Sequence, residues 1–267
     1  MVDFKRIFLI TVDCLRADHV GCIGGGNLTP NIDGLAKKSV VFTKAFSNGP
    51  ATTQSFTAIL TSTYFLMHGD MRLSPYYMTL AEVLSNNGFR TVAFHSNPFL
   101  SKMLGWDRGF HEFYDFMDIV KIPSAAFIRS DRSAKLVVAI DRVARILRNR
   151  RLLSFLRKLY YKWSEVELPY VDGRQINEHV FSWVNQHKED KFFLWVHYMD
   201  PHSPYVPPEE YLADFSSRRE AFHFNLSVDT DNLSEEELGT LKRLYEGEVR
   251  YTDACIGEFL DYLEEEK

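Results

Sequence analysis

The sequence predicts an α/β fold: a mostly parallel sheet with helices on both faces. Three observations support this expectation. Short apolar runs rich in β-branched residues recur along the chain, as strands buried on both faces require. Between them lie segments whose apolar residues return at helical spacing. The 267 residues are 45% hydrophobic, with 21 Phe and 13 Tyr, which is enough for one large core. A single domain spanning 1–267 is therefore expected. A disordered tail, a disulfide-stapled miniprotein and a coiled coil are excluded.

The elements follow in order. Residues 7–12 read as a fully buried strand. Residues 30–38 read as a short helix with Pro30 in its first turn. Residues 39–45 read as a second strand. Residues 52–60 read as a helix opening after the turn signal Asn48-Gly49-Pro50. Residues 77–86 read as a helix ended by Asn87-Gly88. Residues 90–95 and 191–198 read as the third and fourth strands. Between these two, 173–186 is helical, with Ile176, Val180, Trp183 and Val184 on one face. The last helix starts at Ser234, where Ser234 and Glu237 form a capping box and Leu233 and Leu238 a hydrophobic staple.

Charge and cysteines restrict the function classes. A net charge of −5 gives no basic balance of the kind that points to nucleic acid, and no nucleic-acid partner is expected. Cys14, Cys22 and Cys255 are too far apart for a CxxC motif, which suits a reducing compartment. The first residues lack the long apolar run and small-residue cleavage site of an export signal. No run approaches the roughly 20 apolar residues of a membrane span. A cytoplasmic location is the expectation. Residues 129–162 stand apart, with eleven Lys or Arg against two Asp on an amphipathic pattern. They read as the heart of a basic helical insertion at about 124–168. It offers either a solvated face or a contact for an anionic membrane surface or acidic substrate.

Asp13 falls at the carboxyl end of the first expected strand, where open α/β sheets bind ligands. On its own it reads equally as a metal ligand or a loop cap. Its surroundings are more specific. Ile10-Thr-Val-Asp13-Cys14-Leu-Arg16-Ala-Asp18-His19-Val-Gly21 is followed by Thr29-Pro30-Asn31-Ile32-Asp33-Gly-Leu35-Ala36. Then come Val41-Phe42-Thr43-Lys44-Ala45-Phe46-Ser47 and Ile59-Leu60-Thr61-Ser62. In this order the segments resemble the start of the sulfatase family, within the alkaline phosphatase superfamily. Gly88-Phe-Arg-Thr91, Pro201-His202-Ser-Pro204-Tyr205 and Tyr251-Thr-Asp253-x-x-Ile256-Gly257 extend the resemblance along the chain. It implies a three-layer α/β/α sandwich of the alkaline phosphatase type that cleaves sulfate or phosphate esters at a divalent-metal site.

The resemblance also implies roles. Asp13 matches the first metal-binding aspartate. Cys14 stands where the family has a second one, which weakens the case for calcium and leaves room for zinc or manganese. The Cys-x-Pro-x-Arg segment that supplies the formylglycine nucleophile is absent. Counting back from Ile59-Leu60-Thr61-Ser62 puts Thr52 at the nucleophile position and Phe56 where the motif arginine falls. Thr53 and Ser55 are the register alternatives, and a plain helix cap is the other reading of Thr52. His202 matches the histidine that contacts the transferred group or leaving oxygen. His95 and Asn97 lie near the family's sulfate-binding pair and are candidate substrate contacts. His68 reads as structural, and His197 as a strand histidine. Arg16 and Asp18 read as an ion pair organising the Asp13 loop.

In the family, the helix matching the last one here leads to a strand ending in Asp-His-Gly that completes the metal site. No such motif occurs in this chain. The expectation is a sulfatase-like domain lacking its C-terminal part, with an exposed sheet edge open to self-association. Three readings follow: the N-terminal portion of a hydrolase, a non-catalytic anion- or partner-binding paralogue, or a chain completed by a second one. Within the first, a Thr-dependent phosphodiesterase or phosphoglycerol transferase is the alternative to a sulfatase.

Overall fold

The computed structural model describes residues 4–118, 168–229 and 232–266, so the basic segment 129–162 lies outside the described residues. The chain divides into two compact units. The first comprises Met1–Ile119, Tyr170–Pro201 and Thr252–Lys267, and the second Val120–Pro169 and His202–Tyr251.

The first unit is built on β1 (Arg6–Val12), β2 (Arg90–Phe94), β3 (Glu112–Tyr114) and β4 (Phe192–Tyr198). They form one sheet in the order β1-β4-β2-β3, and every pairing is parallel. The register sets Thr11 opposite His197 and Phe94 opposite Val196. Side chains alternate across the sheet. Leu9, Ala93, Phe193 and Trp195 face a core closed by α2 (Thr52–Thr61), through Phe56 and Leu60, and by α3 (Leu80–Asn86), through Ala81. The opposite face meets α4 (Gly173–Gln186), where Trp183 packs edge-on against Phe192 at 5.2 Å. It also meets the end of α6 (Glu235–Glu265), where Phe259 packs edge-on against Phe8 at 5.7 Å. Helices thus lie on both faces of a parallel sheet, as the sequence predicts.

Two expectations differ from the structure. Residues 39–45 are not a strand: they are irregular and exposed, with Val40 82% and Phe42 78% accessible. β-Branched and aromatic residues favour strands only where a neighbouring strand accepts their backbone, and these have none among the described residues. Conversely β3, three residues long, is too short to show an alternating pattern. The helix expected at 77–86 begins at Leu80, because Thr79 and Glu82 form its capping box.

Two segments far apart in sequence meet at α1 (Pro30–Ala36). The Asp253 carboxylate, on α6, accepts the backbone N–H groups of Asn31 at 3.0 Å and Ile32 at 2.9 Å. It also accepts the Asn31 side-chain amide at 2.9 Å. These are helix N-terminal donors that have no partner within the helix. Burial pushes the Asp253 carboxyl up, and the N–H bonds to it oppose that shift. Gly257, one turn on, makes room: a Cβ there would lie 2.5 Å from the Asn31 side chain. Asp33 in turn accepts Cys22 N–H at 2.7 Å and Thr29 Oγ1 at 3.2 Å, fixing the loop that follows β1.

In the second unit, α5 (Arg218–Ser227) is tied to the Tyr205–Val206 backbone. Asn225 pairs with both backbone groups of Tyr205, and the Arg218 guanidinium donates to Val206 O. Glu248 accepts Val206 N–H at 2.6 Å. Ser234 and Glu237 form the expected capping box at the start of α6.

Replacing Asp253 by Ala leaves three donors at α1 without their acceptor. The expected cost is about 1–3 kcal/mol, read as a lower urea midpoint with an unchanged denaturant slope.

Candidate functional site

β1 delivers Asp13 to the carboxyl end of the sheet. The Asp13 N–H donates to Tyr198 O at 2.9 Å, extending the β1–β4 ladder by one bond. The chain then turns at Cys14 through a left-handed conformation, φ 55°. The Asp13 side chain is only 11% exposed. A carboxylate so placed needs donors; Asn97, Thr52 and Cys14 supply them, and His197 lies beside it. Asn97 Nδ2 lies 3.0 Å from Oδ2, Thr52 Oγ1 3.3 Å and His197 Nε2 3.4 Å. Cys14 Sγ lies 3.0 Å from Oδ1.

Each donor comes from a different place. Thr52 is the first residue of α2; Ala51 is its N-cap, and no side chain caps the helix. The Thr52 hydroxyl therefore does not serve its own helix but donates to Asp13. The register alternatives sit elsewhere: Thr53 is buried, and Ser55 donates to Gly49 O and bonds Ser47 in the preceding loop. Phe56, at the position counted for an arginine, packs edge-on against His197 at 4.9 Å and tilted on Trp195 at 5.3 Å. Here the wall of the site is apolar where a cation was counted.

Asn97 is held by both ends of its amide. Its Oδ1 accepts Phe99 N–H at 3.0 Å, which aims Nδ2 at Asp13. His95 is fully buried, stacked on Trp195 at 5.2 Å. Its Nδ1 accepts Asn97 N–H at 3.2 Å, so the ring proton is on Nε2, which has no hydrogen-bond partner. Burial, with His197 nearby, pushes the His95 imidazole well below its usual range and keeps it neutral. Burial also pushes the Cys14 thiol up, and its hydrogen bond to Asp13 and that carboxylate's charge add to this, to about 12.

His197, a strand histidine by its sequence, lies beside Asp13 as well. A histidine inside an apolar strand carries no mark of its own. The usable signal is parity: His197 shares its face with Trp195, and it pairs in register with Thr11, two residues before Asp13. His202 belongs to the second unit, where it is half-buried and its Nδ1 lies 2.7 Å from Ser203 O. A carbonyl only accepts, so the His202 proton facing it is on Nδ1. Arg16 and Asp18 form a two-point ion pair, with Nη2–Oδ2 at 2.6 Å and Nε–Oδ1 at 2.9 Å. The Arg16 guanidinium holds Asp18 well below the usual carboxylate range.

Residues 5–267 match the sequence profile of the Sulfatase family. The chain belongs to the sulfatase family. Comparison with curated protein sequences gives no match. Among solved structures, an alkaline phosphatase superfamily protein from Vibrio parahaemolyticus is similar at 17% identity and TM-score 0.61. It aligns over 99% of this chain and 51% of its own. The C-terminal periplasmic domain of EcEptC from Escherichia coli, in complex with Zn, aligns at 13% identity and TM-score 0.59. That match covers 99% of this chain and 61% of the other. The lipoteichoic acid synthase LtaP from Listeria monocytogenes aligns at 17% identity and TM-score 0.55, over 98% of this chain and 52% of its own. At these identities the likeness shows the alkaline-phosphatase-like fold. The sulfatase-family chain spans about half to three-fifths of the length of these structures. No helix among the described residues is long and apolar enough to cross a membrane.

The family typically binds a divalent metal, and the residues around Asp13 fit one. They offer a carboxylate, a hydroxyl and a thiol. They also include a buried imidazole nitrogen, His197 Nε2, that is close to Asp13 but aligned with no hydrogen-bond partner.

His68 is structural, as its sequence context predicts. Its Nδ1 accepts Ser74 N–H at 3.0 Å and its Nε2 bonds Thr63 Oγ1 at 2.7 Å. Burial, then the Arg108 charge, pushes the imidazole below its usual range. An unfolded histidine titrates near pH 6.5, so on acidification the unfolded chain takes this proton first. The His68 contribution is therefore complete above about pH 6.5 and is lost as pH falls toward the lower folded value. Urea unfolding across this range is expected to show a smaller acid-side loss for His68→Gln than for the wild type.

Proposed function

We propose that the protein to which this chain belongs cleaves or transfers a phosphate- or sulfate-ester group at a divalent-metal centre, with Thr52 as nucleophile. One observation carries this reading. The Thr52 hydroxyl stands at the first residue of a helix and points at a carboxylate on the end of a parallel sheet, 3.3 Å away. The first-turn N–H groups of α2 have no acceptors within the helix and suit the non-bridging oxygens of an anionic ester. They are placed to receive charge that develops as the ester reacts.

Asp13 and Thr52 are the residues that would hold the ion. When bound, a divalent ion supplies positive charge that lowers the pKa of a hydroxyl and neutralises ester oxygens. The remaining work belongs to the chain. Asp13 accepts the Thr52 hydrogen bond and fixes the direction of the Oγ1 lone pairs. Asn97 holds Asp13 in place. Thr52 Oγ1 gives up its proton and bonds to phosphorus or sulfur as the ester bond to the leaving oxygen breaks; water or an acceptor hydroxyl then attacks that atom, and Thr52 leaves with a proton. His202 is the proposed contact for that leaving oxygen, which takes up a proton. The buried His95 shapes the wall behind Asn97 rather than facing solvent.

Two observations favour phosphate over sulfate. Thr52 replaces the cysteine from which formylglycine is made, and Phe56 replaces the arginine of that motif. The similarity to a lipoteichoic acid synthase supports transfer as well as hydrolysis. A small anionic ester is the proposed substrate.

In the full protein, Thr52→Ala is expected to lower turnover of a bis-aryl phosphodiester by about a thousandfold or more. Thr52→Ser, which keeps the hydroxyl, is expected to retain activity within about tenfold. Assaying both on aryl phosphate and aryl sulfate tests the preference; retained activity in the alanine variant would remove Thr52 from the chemistry.

A further inference from the structure

The sheet holds two buried histidines at its carboxyl end, and their hydrogen bonds give them opposite characters. His95 accepts at Nδ1, so its inward nitrogen is an N–H and cannot bind a cation. His197 is different. Its side chain is completely buried, and its Nδ1 faces Thr11 Oγ1 at 3.1 Å. That oxygen also receives the Trp195 indole N–H at 3.0 Å, and its own hydroxyl donates to Val196 O at 3.2 Å. With the hydroxyl proton spent on the carbonyl, Thr11 meets His197 with a lone pair, and Nδ1 is the nitrogen that carries the proton. Nε2 is then left with its lone pair directed toward the Asp13 side, 3.4 Å from Oδ2.

An unprotonated Nε2 beside the Asp13 carboxylate in a buried site is unfavourable unless a proton or a metal cation lies between them. The alternative tautomer does not remove the difficulty. An Nε2–H would be a buried donor without an aligned acceptor, since that nitrogen has no hydrogen-bond partner. Either way, a cation at this place resolves what hydrogen bonding leaves unresolved. The Phe56 ring edge against His197 and the Trp195–Thr11 bond hold the imidazole in one orientation. This is how a ligating histidine is usually fixed by its second nitrogen.

We propose that His197 is a metal ligand, giving Nε2 as a nitrogen donor beside Asp13, and that this nitrogen makes the centre select zinc over calcium. The proposal rests on the reading that the Asp13 site holds a divalent ion, and it adds which residue binds and which ion is preferred. Calcium takes hard oxygen donors in numbers. An imidazole nitrogen beside a carboxylate belongs to the donor set of zinc. The thiol is adjacent to Asp13, where an oxygen would suit calcium better.

The test uses the full chain, freed of metal and titrated with zinc or calcium against a competing chelator. Wild type is expected to bind zinc at a single site and calcium at least about a hundredfold more weakly. His197→Gln is expected to weaken zinc by about a hundredfold or more while leaving calcium unchanged. A second measurement needs no variant. Wild type with isotope-labelled histidine, loaded with cadmium as a magnetic stand-in for zinc, is expected to show scalar coupling between the metal and His197 Nε2. Zinc binding without that coupling, or an equal loss of zinc and calcium affinity in His197→Gln, would reduce His197 to a positioning residue and overturn the proposal. Absence of any zinc or calcium binding by wild type would overturn the metal reading itself, and the proposal with it.

Discussion

A mostly buried carboxylate is the constraint around which the first unit is organised. Asp13 sits where β1 ends, and a charge in that position is tolerated only if donors or a cation surround it. Side chains from four segments surround it: Cys14 beside it, Thr52 at the start of α2, Asn97 after β2 and His197 in β4. None of these reaches Asp13 unless β1, β4 and β2 end at the same level. The parallel order β1-β4-β2 supplies that level, because every strand in it runs the same way. The site is therefore a property of the sheet rather than of a loop.

Register matters as much as direction. Thr11 pairs with His197, and both face the side covered by α2. A slip of one residue in β4 would turn Tyr198 toward Asp13 and His197 toward α4, exchanging a nitrogen donor for a phenol. Apolar packing prevents it. Phe193 and Trp195 share the face of His197 and are fully buried against Ala93, Phe113 and Phe56. The hydrophobic core thus fixes the polar site, and the large aromatic residues of β4 are what specify where its histidine points.

Much of this was legible in the sequence, for identifiable reasons. Three of the four main strands and most helices announce themselves by composition, caps and spacing. Asp13 stands out as a carboxylate ending an apolar strand, and Thr52 as a hydroxyl opening a helix. Asn97 was named for substrate contact, and the structure places its amide on Asp13. His197 was the hardest to see, because its significance depends on which face of the sheet it occupies, and that is fixed by long-range pairing. The 39–45 segment misled for the same reason: its composition is strand-like, but no described neighbour receives it. The Tyr251–Gly257 motif has a clear structural use that spacing did not reveal, since Asp253 and Gly257 seat the start of α1.

The central claim is that the Asp13 carboxylate, at the carboxyl end of the sheet, is one wall of a cation site. Anomalous X-ray scattering at the zinc edge, from crystals of the chain saturated with zinc, tests it most directly. One strong peak is expected within bonding distance of Asp13 Oδ2, shared with Thr52 Oγ1 and His197 Nε2. Zinc bound elsewhere, with the Asn97 and Thr52 hydrogen bonds to Asp13 intact and no peak between them, would contradict it.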